Sequence, residues 1–190
     1  MMAMRQKRRG MNRQEGFTLL EAMIAIVVLS FGILSLAVLY AQGIQTASMT
    51  EFDYIAEKQA EQAVETIFAA RDSKLLAWPN IRNATGAGGV DDGVFLNGAQ
   101  PLLAAGPDGL YGTADDDVTN PTVVIADPGP DKILGTADDA VMPLTNMTRT
   151  ITITDVPGET GLRQISITMD YTLGAKTRSF TLVSYIAQFS

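Results

Sequence analysis

The sequence contains neither cysteine nor histidine. These absences exclude structural disulfides, catalytic cysteines, histidine-based triads and metal sites built from thiolate or imidazole. Any metal ion would have to be held by oxygen atoms. The carboxylates are scattered along the chain and form no convergent pair that the sequence can identify, so we expect a protein that is not an enzyme.

Charged residues are also scarce, at 18% of the 190 residues. The net charge of −7 is unevenly distributed, because residues 1–16 carry +4 and the rest of the chain therefore carries −11. An acidic body repels the phosphate backbone, so no nucleic-acid partner is expected. The length allows one domain of ordinary size with an appendage, and no second sizeable core.

One long hydrophobic run stands out at residues 17–41, FTLLEAMIAIVVLSFGILSLAVLYA, in which Glu21 is the single charge. As a helix rising about 1.5 Å per residue it would be roughly 37 Å long, enough to cross a bilayer core of about 30 Å. No Ala-x-Ala-like site interrupts the run, which disfavours an ordinary secretory signal. Basic residues precede it, so the positive-inside rule places the N-terminus in the cytoplasm and the body outside.

The segment 42–77 continues this helix, with Trp78 and Pro79 ending it because proline disfavours α geometry in the preceding residue. Its apolar residues recur at spacings of three and four, which predicts an amphipathic helix with one buried stripe. The residues of this stripe are Phe52, Ile55, Ala56, Ala60, Ala63, Val64, Ile67 and Phe68. Glu57, Glu61 and Glu65 lie on another stripe, which we interpret as a solvated face.

Residues 78–145 are rich in Gly, Pro and Asp and show no persistent period, which predicts loops. From 146 to 190 apolar and polar residues alternate between short turns, which predicts an antiparallel β-meander with one buried face. The natural partner for that face is the apolar stripe of the helix. The predicted fold class is α+β, a long N-terminal helix packed against a C-terminal antiparallel sheet.

The start of the hydrophobic run carries the most specific motif. A basic leader ends in Arg13-Gln14-Glu15-Gly16, and the run then opens with Phe17-Thr18-Leu19-Leu20-Glu21. A carboxylate inside an apolar helix is costly in lipid and by default marks a functional site. In these residues the chain resembles the type IV pilin and pseudopilin family, with a long helix packed on a sheet as the expected fold.

The resemblance implies a processing and assembly route. A prepilin peptidase would cut between Gly16 and Phe17, remove the leader 1–16 and methylate the new N-terminus at Phe17. Glu21 would pair with the N-terminal ammonium of a neighbouring subunit as it docks. The implied partners are that peptidase, other pilin or pseudopilin subunits, and an inner-membrane assembly platform with its ATPase. The chain would be a single-pass inner-membrane protein before it enters the filament.

Within the family, the segments Leu29–Ala37 and Ala56–Ala70 resemble minor pilins of the pilus-modification type. The hydrophobic helix lacks the proline, and the chain lacks the cysteines, that many major pilins carry. The resemblance therefore implies a minor pilin of a type IV pilus, located in a surface pilus. A minor pseudopilin of type II secretion, located in a periplasmic pseudopilus, is the alternative that stays open.

Two acidic repeats lie inside the loop region, GPDGLYGTADDDV at 106–118 and GPDKILGTADDAV at 129–141, an offset of 23 residues. Glycine-rich acidic loops can wrap Ca²⁺ with oxygen ligands, although the spacing does not fit an EF-hand. The alternative is a pair of solvated Asp-Gly turns. If the repeats are the working part, the chain would be an uncleaved, membrane-anchored calcium-binding or adhesive module. The candidate calcium ligands are Asp108, Asp115, Asp116, Asp117, Asp131, Asp138 and Asp139.

Overall fold

The computed structural model describes residues 17–86, 92–174 and 176–188. The chain divides into two compact units, residues 1–47 and residues 48–190. A single α-helix, α1 (Leu19–Asp72), contributes to both. The leader 1–16, and with it Gly16 of the expected cleavage site, lies outside the described residues.

The second unit is built around a four-stranded antiparallel sheet with the strand order β1 (Gln100–Pro101), β6 (Met147–Asp155), β7 (Leu162–Leu173) and β8 (Lys176–Ala187). Its three long strands follow one another as the predicted meander, joined by turns at 156–161 and after Leu173. The long strands are β6, β7 and β8. Alternate residues on β6 and β7 are buried, as the period of two requires.

The predicted stripe of α1 packs against this sheet. Ile55, Ala56, Ala60, Ala63 and Ile67 are buried and belong to the same hydrophobic cluster as the inward residues of β6 and β7. Three alanines at this seam let the helix approach the sheet closely. The α+β fold class, a long N-terminal helix against a C-terminal antiparallel sheet, is confirmed.

Two boundaries differ from the sequence prediction. The α-helix ends at Asp72, five residues before the predicted end, and the chain turns at Lys74 with a φ of 59°. The main-chain NH of Leu76 bonds back to the carbonyl of Ala70 at 3.1 Å, which closes the helix end before the proline is reached. Trp78–Asn80 then form a separate turn of 3₁₀ helix.

In the region predicted as loops, the described residues 78–86 and 92–145 contain five short strands. They are β1 (Gln100–Pro101), β2 (Leu103–Ala104), β3 (Asp117–Pro121), β4 (Val123–Asp127) and β5 (Ala140–Pro143). The strands β2 and β3 form one antiparallel pair, and β4 and β5 form another. Strands of two to five residues are too short for an alternating pattern to reveal.

Candidate functional site

The N-terminal junction is shaped by Thr18, which caps α1. Its Oγ1 accepts a hydrogen bond from the main-chain NH of Glu21 at 3.3 Å, and its carbonyl accepts one from Ala22 at 3.2 Å. Thr18 and Glu21 have the spacing of a capping box, and an acid in the first turn suits the helix dipole. The cap fixes where the helix begins, two residues after Phe17.

The Glu21 carboxylate has no ion-pair partner within the described part of the chain. Every residue from Phe17 to Ile44 is exposed, although nearly all are apolar. The most apolar window of the helix has a mean hydropathy of 2.7, long and apolar enough by composition to cross a membrane. Glu21 is therefore the one carboxylate in a segment that its own chain leaves uncovered.

The two serine hydroxyls of this segment are satisfied inside the helix. The hydroxyl of Ser30 donates to the carbonyl of Ile26 at 2.7 Å, and that of Ser35 donates to Phe31 at 2.8 Å. Hydroxyls bonded in this way carry no unmet donor into an apolar environment. Glu21 differs from these serines, because an unpaired carboxylate in such an environment needs a cation from outside the segment.

The two acidic repeats fold into loops of the same internal structure, here called loop 1 (106–118) and loop 2 (129–141). In loop 1 the Asp115 carboxylate accepts hydrogen bonds from the main-chain NH of Asp108 and the Thr113 hydroxyl, at 3.3 and 2.8 Å. In loop 2 Asp138 makes the equivalent bonds at 3.4 and 2.7 Å. The carboxylates therefore serve first as acceptors that close their own turns.

The hairpins that carry the loops are duplicated as well. Loop 1 joins β2 to β3 and pairs Ala104 with Asp117, while loop 2 joins β4 to β5 and pairs Asp127 with Ala140. Ala104 and Asp127 are 23 residues apart, as are Asp117 and Ala140, which is the offset of the sequence repeat. The sequence predicted a duplicated loop, and the structure extends the duplication to the strand ends that hold it.

The structure brings some of the predicted calcium ligands together. Asp108 and Asp115 are joined within loop 1, and Asp131 and Asp138 within loop 2, in each case by the main-chain NH of the first residue donating to the carboxylate of the second. The Thr113 hydroxyl holds the pKa of Asp115 below its usual value, so this carboxylate is charged at neutral pH. No cluster of three or more acids suited to a metal ion is found in the described ranges.

The remaining predicted ligands point to other partners. Asp117 accepts hydrogen bonds from Thr119 and Asn120, which lowers its pKa. The second carboxylate of each Asp-Asp pair closes a turn, with Asp116 accepting from the NH of Gly112 and Asp139 from that of Gly135. Burial raises the pKa of Asp116.

Arg149 on β6 is a site residue that the sequence reading did not single out. It is only 2% exposed, and burial lowers its pKa to about 10. Its guanidinium carbon lies 4.5 Å from the centre of the Tyr111 ring, and the negative charge of Asp116 stabilises its charged form. The alternation of buried and exposed positions along β6 could have revealed the burial of Arg149, because it lies two residues from Met147 and from Ile151, which are both buried.

Comparison with known proteins bears on the N-terminal junction. Residues 11–37 match the family model of the prokaryotic N-terminal methylation motif. Neither the curated proteins nor the solved structures contain a match to the chain. The matched residues cover the junction from Gly16 to Glu21 and most of the exposed apolar segment. The chain thus carries a prokaryotic N-terminal methylation motif over residues 11–37, at the start of an apolar helix.

Proposed function

We propose that this chain is a minor pilin-like, non-enzymatic structural subunit of a type IV pilus. It is inserted as a single-pass anchor, cut by prepilin peptidase between Gly16 and Phe17, and methylated at Phe17. An inner-membrane platform with its ATPase then moves it into the filament. The observation that carries the proposal is the uncovered apolar segment from Phe17 to Ile44, with one carboxylate in its first turn.

The charge at Glu21 explains why the helix would assemble with other subunits. Cleavage before Phe17 creates an ammonium group four residues from Glu21. Each charge alone is costly in hydrocarbon, and two opposite charges from neighbouring subunits reduce that cost when they pair. A helix that is apolar on all its faces is stable when lipid or other helices surround it. Glu21 then favours a helix partner with a free N-terminus.

Intact mass and N-terminal fragmentation of the protein from native membranes and from sheared filaments test the processing route. We expect a chain that begins at methylated Phe17 and is present in both fractions. A chain that retains Met1 in a host with active prepilin peptidase overturns the proposal. It would shift the function to the uncleaved, membrane-anchored adhesive or calcium-binding module.

Glu21→Gln tests the docking role separately from processing. This variant keeps the side chain's shape and removes its charge, so we expect normal cleavage and methylation with loss from the filament fraction. Glu51→Gln is the matched control, because Glu51 is an exposed acid on the same helix beyond the apolar segment. Equal recovery of both variants in filaments would contradict the docking role of Glu21.

The fraction in which the mature chain is found distinguishes a pilus from a secretion pseudopilus. A type IV pilus subunit is released from the cell surface by shearing, whereas a type II secretion pseudopilin stays in the cell envelope. We expect the sheared fraction to contain the chain at low abundance relative to the main subunit. Recovery only from the envelope would favour the minor pseudopilin.

Calcium binding by the two loops is a second candidate function. It is supported by the repeated approach of two aspartates in each loop, Asp108 to Asp115 and Asp131 to Asp138, through the same main-chain to carboxylate hydrogen bond. The donor set is all oxygen, which suits Ca²⁺, and main-chain carbonyls and water would have to complete the six to eight ligands. No other cofactor is required by the proposed structural role.

Calorimetric titration of the full chain in detergent with Ca²⁺, and with Mg²⁺ for comparison, tests this candidate. We expect saturable heat with Ca²⁺ that is lost when Asp115 and Asp138 are both replaced by Asn. Asp170→Asn on β7 serves as a control for the loss of one acidic charge outside the loops. Absence of heat and of any shift in melting temperature at millimolar Ca²⁺ would identify the loops as plain Asp-Gly turns.

A further inference from the structure

The two loops share a backbone but differ in what their central residues contact. Leu110 of loop 1 is 1% exposed and lies in the hydrophobic cluster, with Tyr111 packed beside it. The equivalent residues of loop 2, Ile133 and Leu134, are 60% and 68% exposed. The same structural unit therefore buries its apolar pair in one copy and presents that pair to solvent in the other.

The backbone similarity makes this difference informative. The NH of Leu110 bonds to Asp108 Oδ1 and that of Ile133 to Asp131 Oδ1, each at 2.8 Å. Lys132 even adopts a φ of 57°, near the 71° of the glycine at the equivalent position of loop 1. A non-glycine residue in this left-handed region is uncommon. Loop 2 is thus held in the conformation that loop 1 uses when it is packed.

The residues around loop 1 show what kind of surface packs against this loop structure. Leu110 packs into the hydrophobic cluster, and the Tyr111 ring lies against the guanidinium of Arg149. The Tyr111 hydroxyl accepts a hydrogen bond from Gln62 Nε2 at 2.8 Å. The negative charge of Asp116 in the loop stabilises the same guanidinium. Loop 1 therefore packs into an apolar cleft with a buried cation beside it.

Loop 2 has side chains that would fit an apolar cleft of this kind with a cation beside it. Asp139 occupies the position of Asp116, and its Oδ1 is shielded from solvent without a hydrogen-bond partner among the described residues. The apolar pair beside it, Ile133 and Leu134, is unpacked. The negative charge of Asp139 next to exposed leucine-type side chains suits a surface that is apolar and positively charged.

We propose that loop 2 docks through Ile133 and Leu134 onto a second protein, whose surface offers an apolar cleft beside an arginine or lysine. Loop 1 on its own body is the template for this contact. A membrane surface is the weaker partner, because loop 2 carries three aspartates against one lysine, and anionic lipid attracts basic segments. The inference does not depend on the filament role, since it concerns the body alone.

Site-specific photo-crosslinking in native membranes tests the contact. A benzophenone amino acid replaces Leu134 in the full chain, and Leu75 is the control site, because it is an apolar residue on the same body with 57% exposure. We expect a discrete protein adduct from position 134, about five-fold stronger than any from position 75. The mapped partner peptide should contain apolar residues next to an arginine or lysine, and a second copy of this chain is judged by the same criterion.

Two further measurements separate docking from an altered loop. Asp139→Asn keeps an acceptor for the NH of Gly135 and removes the charge, so we expect it to weaken the adduct at 134 about five-fold. Asp117→Asn, whose counterpart in loop 2 is Ala140, should leave it unchanged. In the otherwise unmodified chain, a cross-linker with an amine-reactive arm on Lys132 and a photoreactive second arm should join Lys132 to the same partner peptide.

The proposal is overturned by any of three results. The first is an adduct at 134 no stronger than that at 75, or one formed only with lipid. The second is a mapped partner peptide without a basic residue. The third is an adduct that Asp139→Asn does not weaken and that Lys132 does not reproduce.

Discussion

Asn83 completes the sheet where a strand is missing, and its removal provides a direct test of the fold. The edge of β6 is paired with β1 only at Thr148 and Arg149. Further along, the Asn83 side chain takes the place of a neighbouring strand. Its Nδ2 donates to the carbonyl of Ile151 at 2.7 Å, and its Oδ1 accepts from the NH of Ile153 at 2.8 Å.

The expected cost follows from the groups that Asn83→Ala leaves without a partner. They are the carbonyl and NH on β6 and the carbonyl of Leu96, which is bonded at 3.2 Å. At about 1 kcal/mol for each partly buried group, the variant should lose roughly 2–4 kcal/mol of unfolding free energy. For a body of this size the melting temperature should then fall by about 5–15 °C.

Asn146→Ala is the matched control for this measurement. Asn146 is exposed and makes one side-chain hydrogen bond, to the carbonyl of Thr172 at 3.0 Å, so its loss should cost about 0.5 kcal/mol. Both asparagines open an Asn-x-Thr triplet, so the two variants also remove one potential glycosylation site each. Thermal unfolding of the full chain in detergent, followed by circular dichroism, compares them. If Asn83→Ala costs no more than Asn146→Ala, the strand-replacing role of Asn83 is refuted.

Two further predictions use the same assay. Ile167 is fully buried on β7, so Ile167→Ala should cost about 3 kcal/mol, whereas Val183→Ala on the exposed face of β8 should cost about 0.5 kcal/mol; equal costs would contradict the assignment of the faces. The hydrogen bond from Arg163 lowers the pKa of Asp155, so their ion pair contributes fully above about pH 4 and is lost as the pH falls through the lowered pKa. Asp155→Asn should therefore flatten the decline in melting temperature between about pH 4 and pH 2, and an unchanged acid profile would contradict this.

The parts of the fold that could be predicted are those with a long, regular period. The stripe of α1 from Ile55 to Ile67 repeats at helical spacing, and β6 to β8 alternate over nine to twelve residues each. The N-terminal junction could be predicted because its chemistry is local, a glycine and an acid around the start of one hydrophobic run. These features need no knowledge of distant contacts.

The parts that were missed depend on distant contacts. Leu102, Leu110 and Leu144 belong to the core, although they lie in the region predicted as loops. Each is a single apolar residue held by short strands or turns, so no period marks it. Arg149 was missed for a different reason, because its burial depends on Tyr111 and Asp116 of loop 1, which the sequence alone does not place beside β6.

The apolar side chains of α1 are mostly buried in its second part and exposed in its first part, and this difference determines which surroundings the first part requires. Between Met49 and Ala70 the buried residues lie on one stripe, and glutamates occupy the other faces. The apolar stripe therefore packs against the body, and the charged faces are solvated by water. From Phe17 to Ile44 the side chains are apolar all round and exposed on every face. One protein face can cover only one stripe of a helix, so this segment needs an apolar environment on all sides. Lipid supplies that environment to a single chain, and a bundle of like helices supplies it to many, with Glu21 as the one residue that lipid alone leaves without a partner.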